Sequence, residues 1–331
     1  MSNTIIKPHG GKLCSHIPDK GYLNKIKNDI LQLKSWTLTD RQLCDIELIL
    51  NGGFSPLDGF MNQDDYNSVC EKTRLDNNLL WPIPITLDIS NTLADKLETN
   101  EKIALRDKEG FAIALLTVND IWNPDKEKEA HHIYETEDTY HPGVNILLNE
   151  THSTYVGGSI EGIHNPKHYD YPEFRHTPLQ LREFFNKLGW SNIIAFQTRN
   201  PMHRAHVELT KRALNENNAK LLIHPAVGLT KPGDVNHYTR VRCYENIMNK
   251  YNKDMVALSL LPLAMRMAGP REALWHTIIR KNYGCNYFII GRDHASPGLN
   301  RDKTPFYGPY DAQKILNEHS KELEMNIVPF K

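Results

Sequence analysis

The sequence predicts an α/β chain in two parts, a β-rich domain over residues 1–168 followed by a domain over residues 169–331 built on a parallel sheet. Three observations carry this. From Pro178 onward, short apolar runs alternate regularly with helix-length segments. Before His164, short alternating strands are separated by turn residues. Between the two lies His164 to Pro178, rich in proline and histidine and without apolar periodicity, which reads as a polar linker with the boundary near 169.

In the first part, Gln42 to Leu50 has the period of a short helix, and Asn51-Gly52-Gly53 stops it. Phe54 to Phe60 is a turn-rich apolar loop. Ile83 to Ile89 alternates like a half-buried strand whose prolines place it at an edge or bulge. Lys102 to Arg106 and Phe111 to Val118 form a hairpin through Asp107-Lys108-Glu109-Gly110, and Ser153 to Gly157 is a further strand. Together they suggest a small barrel-like domain.

In the second part a helix at Pro178 to Leu188 leads into strand 192–197 and a helix from Pro201. Asn200 reads as its N-cap, with Pro201 at the first helical position, where a missing N–H costs nothing. Then come strand Leu221 to Val227, helix Tyr238 to Tyr251, strand Met255 to Leu261 and helix Pro270 to Asn282. Strand Tyr287 to Ile290, a helix near Tyr310 to Glu322 and a strand near Ile327 complete the series. Such alternation means right-handed crossovers and ligands at the carboxyl ends of the strands. The polar loops fall there: Gln197 to Asn200, Gly228 to Asp234, Met265 to Gly269 and Gly291 to Gly298.

Composition narrows the function classes. The 331 residues carry 39 basic and 40 acidic side chains, a net charge of −1, which disfavours a nucleic-acid coat. Five cysteines stand singly, so neither a zinc ribbon nor a disulfide framework is indicated. Met1 to Gly10 lacks the apolar core of a signal peptide, and no run is long enough to span a bilayer. A soluble, cytoplasmic chain with no nucleic-acid or membrane partner is expected.

The loops suggest chemistry. A helix N-terminus after a buried strand exposes unpaired N–H groups and the positive end of the dipole, an anion site. Arg199, Arg204, Lys211 and Arg212 against Glu208 strengthen that reading, and His203 and His206 share a face as donors for phosphoryl oxygens. Gly291-Arg292-Asp293-His294-Ala295-Ser296-Pro297-Gly298 adds close backbone approach and further donors. Neither GxxxxGK[ST] nor GxGxxG occurs, which removes the main supports for ordinary ATPase, kinase or dinucleotide readings.

Gln197-Thr198-Arg199-Asn200-Pro201-x-His203-x-x-His206, together with Gly291-Arg292-Asp293-His294-Ala295, resembles the ATP sulfurylase (sulfate adenylyltransferase) family. The likeness runs through nearly the whole chain: Gly53 to Met61, Trp81 to Asp88, His224 to Asp234, Leu263 to Gly269 and Phe306 to Ala312 also match. It implies a PUA-like N-terminal domain and a Rossmann-like nucleotidyltransferase domain, His203-Arg204-Ala205-His206 being that family's form of the HxGH signature. The implied reaction is MgATP plus sulfate giving adenosine 5′-phosphosulfate and pyrophosphate, reversibly, in sulfate assimilation or sulfur oxidation.

By the same resemblance Thr198, Arg199, Asn200, His203 and His206 are catalytic, and Gln197, Arg199, Arg292 and the Ala295 N–H hold sulfate. Gln197, Asn200, His203, His206, Gly291, Arg292, Asp293 and His294 contact ATP, and Phe330 is a switch residue. Mg²⁺ accompanies ATP; Leu299 to Pro305 lacks cysteines, so no structural zinc is expected. Ser296 stands where the family has glycine, and the family's small C-terminal subdomain is expected to be absent after Lys331. A rival nucleotidyltransferase using a phosphate ester would not need the Gln197-x-Arg199-Asn200 pattern. An RNA-binding first domain would want a basic face, whereas residues 120–138 mix lysines with many acids. The first domain is therefore read as structural or oligomer-forming, and a homo-oligomer is expected.

Overall fold

A computed structural model describes residues 5–17, 29–231 and 233–330; parts of the expected N-terminal segment Met1 to Gly10 and of the loop Gly228 to Asp234, and Lys331, lie outside them. The chain divides into two compact units, Cys14–Lys167 and a second made of Met1–Leu13 with His168–Lys331. Residues 5–13 thus pack with the second unit, although they precede the first in sequence. The reason is local: Arg182 donates to the Ile6 carbonyl at 2.7 Å, and the His9 N–H donates to Asn282 Oδ1 at 2.8 Å.

In the first unit, helix α1 (Asp40–Leu50) starts at Thr39, whose hydroxyl accepts from the Gln42 N–H while the Gln42 side chain accepts from Thr39 N–H. The sheet runs β1 (Ser35–Thr37), β4 (Lys102–Arg106), β5 (Ala112–Trp122), β6 (Thr154–Gly162), β2 (Gly59–Phe60), and β3 (Leu87–Ile89) pairs with β6 off that path. β3 is shorter than the alternation of Ile83 to Ile89 suggested, because Pro84 has no N–H to give a ladder. β6 is longer, extending to Gly162 so that it lies along β5 from Ala114 to Trp122. Two further helices are α2 (Gln63–Lys72) and α3 (Lys126–Tyr134).

Glycines decide how closely β6 can approach. A Cβ on Gly158 would stand 1.9 Å from the Thr117 carbonyl oxygen, a backbone atom that cannot step aside. Gly158→Ala is therefore expected to destabilise this unit by about 3 kcal/mol or more, read as a drop in its urea midpoint. An unchanged midpoint would contradict the β5–β6 packing.

In the second unit five parallel strands lie in the order β11 (Asn326–Pro329), β10 (Tyr287–Ile290), β7 (Ile193–Phe196), β8 (Lys220–Ile223), β9 (Val256–Leu258). All neighbours are parallel. The helices are α4 (Pro178–Lys187), α5 (Arg204–Asn217), α6 (His237–Met248), α7 (Gly269–Asn282) and α8 (Asp311–Leu323). β8 and β9 stop short of the expected Val227 and Leu261. Pro225, which has no N–H to give, interrupts the ladder there, leaving an isolated bridge between Ala226 and Leu261.

Connections leave β7 toward β8 on one side and β10 toward β11 on the other. That reversal opens a crevice beyond the carboxyl ends of β7 and β10. α7 departs from ordinary amphipathic behaviour: nearly every residue in it is buried, including Glu272, His276 and Arg280 at 0% exposure. Arg182 closes its C-terminus, donating to the Lys281 and Asn282 carbonyls at 2.7 Å each. Among the described residues no helix is long and apolar enough to cross a membrane.

Candidate active site

A cavity of about 350 Å³ occupies the crevice between the ends of β7 and β10. Gln197, Thr198, Arg199, Asn200 and His206 line it from the β7 side, and Gly291, Arg292, Asp293, His294 and Ala295 from the β10 side. Phe330, just after β11, also lines it, its N–H held by the Ile290 carbonyl at 2.9 Å. His203 is exposed and does not line the cavity, although its ring centroid lies 4.1 Å from that of His206. Arg204, Lys211 and Arg212 do not line it either. Helical periodicity turns them elsewhere: Lys211 lies over the Tyr251 ring and Arg212 pairs with Glu216 at 2.6 Å. The positive charge of the β7 side is thus Arg199 alone.

The helix after β7 begins at Arg204, not at Pro201, with His203 as its cap residue, so Asn200 is not the N-cap. Thr198 accounts for the delay. Its Oγ1 accepts the Asn200 N–H at 3.0 Å and donates to the Asn200 carbonyl at 2.9 Å. Tyr244 OH donates to the same carbonyl at 2.9 Å, and burial pushes its pKa up to about 12, so it stays a donor. With the Asn200 carbonyl occupied by two hydroxyls, Gln197–Asn200 stays non-helical, and all four residues line the cavity.

His206 Nδ1 accepts the His203 N–H at 3.4 Å. That leaves the proton on Nε2, a donor for whatever occupies the cavity. Burial, reinforced by neighbouring His203, lowers the His206 pKa, so the ring is neutral at pH 7. Arg199 is held from two sides: Nη1 approaches Met267 Sδ at 3.1 Å and Nε lies 3.3 Å from Asp234 Oδ2. On the other wall, Asp293 and Ala295 take left-handed backbones, φ 51° and 54°, and Arg292 lies over the Tyr310 ring. Two left-handed non-glycine positions flanking His294 are costly and occur where a loop must turn its N–H groups to a purpose.

Behind the cavity lies a buried row that the sequence reading did not identify. Glu272 Oε1 is 3.2 Å from His276 Nε2, and His276 Nδ1 is 2.9 Å from His294 Nε2. Glu272 and His276 are one helical turn apart, a spacing visible in the sequence, but nothing there announces that α7 is buried on all faces. Met267 and Asp234, which grip Arg199, were likewise visible only as members of their loops.

Burial holds His224, His276 and His294 well below the ordinary imidazole range. Both ring nitrogens of His224 lack partners. Unfolding exposes these rings, which then bind protons near pH ~6.5, so the unfolded state gains protons as pH falls below that value. The stability they contribute is complete above pH ~6.5 and is lost on acidification, by up to about 1.4 kcal/mol per pH unit for each ring. Urea midpoints should accordingly fall between pH 7 and pH 5; a flat profile would contradict neutral burial.

Among the described residues no group of three or more His, Cys, Asp or Glu side chains could hold a metal ion. All five cysteines are free.

Comparison with known proteins agrees with this architecture. The ATP-sulfurylase family model matches residues 172–331, and the PUA-like domain model matches residues 6–165. The sulfate adenylyltransferase of Kluyveromyces lactis is 54% identical over 327 residues, spanning 98% of this chain and 65% of that protein. That of Saccharomyces cerevisiae is 52% identical over 330 residues, spanning 98% of this chain and 64% of that protein. The chain thus spans somewhat less than two thirds of the length of these relatives. Among solved structures, one described as hexameric APS kinase from Thiobacillus denitrificans superposes with a TM-score of 0.79 at 29% identity, covering 99% of this chain and 57% of that one. Residues 172–331 thus belong with the ATP-sulfurylase family, and residues 6–165 ahead of them with PUA-like domains.

Proposed function

We propose that the chain is a sulfate adenylyltransferase, joining sulfate to the α-phosphorus of MgATP with release of pyrophosphate, and reversing that reaction when supplied with both products. The observation that carries the proposal is the character of the cavity wall. Arg199, Arg292, His206, His294, Gln197 and Asn200 converge there, and the only acid among the lining residues is the exposed Asp293. Such a wall suits the meeting of two anions and offers no buried carboxylate as a general base. Sulfate needs none, being fully ionised at neutral pH, so catalysis rests on positioning and fixed donors.

In this reading Gln197, Arg199, Arg292 and the Ala295 N–H hold sulfate in line with the α-phosphorus. Asn200 and the His206 Nε2–H meet the phosphates, and Thr198 keeps Asn200 in its turn. His203 acts on ATP from the rim, through His206 or after a change of rotamer. Gly291, Asp293 and His294 lie beside the adenosine, His294 at its 5′-phosphate end, with Phe330 as the movable edge. Mg²⁺ enters as part of MgATP, held by phosphate oxygens and water. A homo-oligomer is proposed as well, supported by the hexameric description of the solved relative.

The test is to incubate the 331-residue chain with MgATP and sulfate and measure adenosine 5′-phosphosulfate and pyrophosphate together. Equimolar, sulfate-dependent formation of both is expected. Pyrophosphate release that needs a phosphate ester instead of sulfate would overturn the assignment.

A further inference from the structure

We propose that Glu272, His276 and His294 act as a one-proton relay that sets the hydrogen-bonding polarity of the cavity's inner wall, so that an entering oxyanion draws one proton into the protein. The proposal rests on the adenylyltransferase reading for the choice of anion.

The geometry is a continuous line from the interior of α7 to the cavity. Glu272 and His276 are fully buried, and the carboxylate is anchored at both oxygens. Oε1 accepts the Arg266 N–H at 3.0 Å and Oε2 the Ala268 N–H at 2.9 Å. His276 spans Glu272 Oε1 at 3.2 Å and His294 Nε2 at 2.9 Å, and His294 lines the cavity. Each nitrogen in such a line is either donor or acceptor, so the choice at one end dictates the choice at the other.

With Glu272 ionised, His276 carries its proton on Nε2 and accepts from His294 Nε2–H. His294 Nδ1 is then a bare lone pair, which repels an oxyanion. One added proton reverses this. If it rests on Glu272, the carboxyl donates to His276 Nε2, His276 Nδ1–H donates to His294 Nε2, and His294 carries its other proton on Nδ1. If it rests on His294, Nδ1 is again protonated. Wherever it sits, the cavity gains a donor and the trio gains one positive charge.

The surrounding charges give the direction. Arg199 from the loop after β7, Arg266 from the loop before α7 and Arg280 within α7 act on the trio, and Asp234 faces it only through Arg199. Arg266 favours the ionised Glu272, and Arg199 and Arg280 disfavour a charged imidazole, so the trio holds no extra proton while the cavity is empty. An anion that takes Arg199 for itself and brings further negative charge raises the trio's proton affinity. Burial opposes Arg266 at Glu272, raising its pKa, and lowers those of both imidazoles, so an added proton is best held on the carboxyl.

Gln197 is the second output. Its carboxamide lies 3.4 Å from His276 Nε2, and its Oε1 is buried without a partner. Turned end for end, the amide would accept the His276 Nε2–H and direct its NH₂ to the cavity. Glu272 and His276 are thus positioning residues, acting on the substrate through His294 and Gln197.

The experiment is calorimetric binding of adenosine 5′-phosphosulfate, without pyrophosphate, in two buffers of different ionisation enthalpy. The ligand has no group that titrates near neutral pH, so any buffer-dependent heat reports protons taken up by the protein. The wild-type chain should take up close to one proton per site (about 1), and its Kd should rise by up to about tenfold per pH unit above neutrality. Uptake should vanish in Glu272→Gln and in His276→Phe, with melting curves confirming that each is folded. The pH dependence of wild-type binding tests the relay should neither variant fold. Binding without proton uptake, or undiminished uptake in a folded variant, overturns the relay and leaves the function standing. No binding of adenosine 5′-phosphosulfate by the wild-type chain overturns both.

Discussion

Arg199→Ala is expected to raise the sulfate KM by about 10- to 100-fold, while the KM for MgATP changes only several-fold. A hydrogen bond to a charged group contributes about 1.5–3 kcal/mol, which is the origin of that range. The structure adds a second cost. Arg199 Nε lies 3.3 Å from Asp234 Oδ2, and both side chains are mostly buried, 19% and 12% exposed. Removing the guanidinium leaves the Asp234 carboxylate uncompensated beside the cavity, where it repels the incoming dianion. Arg199→Ala combined with Asp234→Asn should therefore recover part of the lost sulfate affinity. Steady-state kinetics in both substrates would decide. Equal effects on sulfate and ATP would argue against a sulfate clamp, and no recovery in the double variant would argue against the Asp234 contribution.

His206→Ala should lower kcat by about 10²-fold with both KM values nearly unchanged, the usual cost of losing one fixed donor aimed at charge that develops in the transition state. The His203 backbone N–H on Nδ1 and the lowered pKa keep the ring neutral with its proton on Nε2. Activity should therefore show no alkaline limb from this residue. Single-turnover measurement separates the chemical step from product release. Turnover near that of the wild-type chain would remove His206 from the mechanism.

Much of this was legible in the sequence because the second unit obeys local rules. Phe288-Ile289-Ile290 before Gly291, and Ile193 to Phe196 before Gln197, are short apolar runs ending in polar loops, and parallel strands buried on both faces leave that mark. The loops that line the cavity could be named because sheet order places strand ends together, and the chain's alternation implied that order. What could not be read was side-chain traffic. The Thr198 hydroxyl displaces the helix start from Pro201 to Arg204, a local bond that outweighs a favourable capping sequence. Lys211 and Arg212 counted as site charge only while the helix phase was unknown. Glu272 and His276 stayed hidden because α7 is buried all round, so its polar residues could not be told from a solvated face. Residues 5–13 joined the second unit through Arg182, whose partners are backbone carbonyls that no pattern foretells.

The central claim is that one cavity holds a tetrahedral dianion in line with the α-phosphorus of ATP. Molybdate tests it most directly, since it has the shape and charge of sulfate and its mixed anhydride with adenylate falls apart in water. The account expects continuous release of AMP and pyrophosphate from MgATP that requires molybdate, is suppressed by competing sulfate, and is nearly abolished in Arg199→Ala. Absence of molybdate-dependent release from the folded 331-residue chain would contradict it.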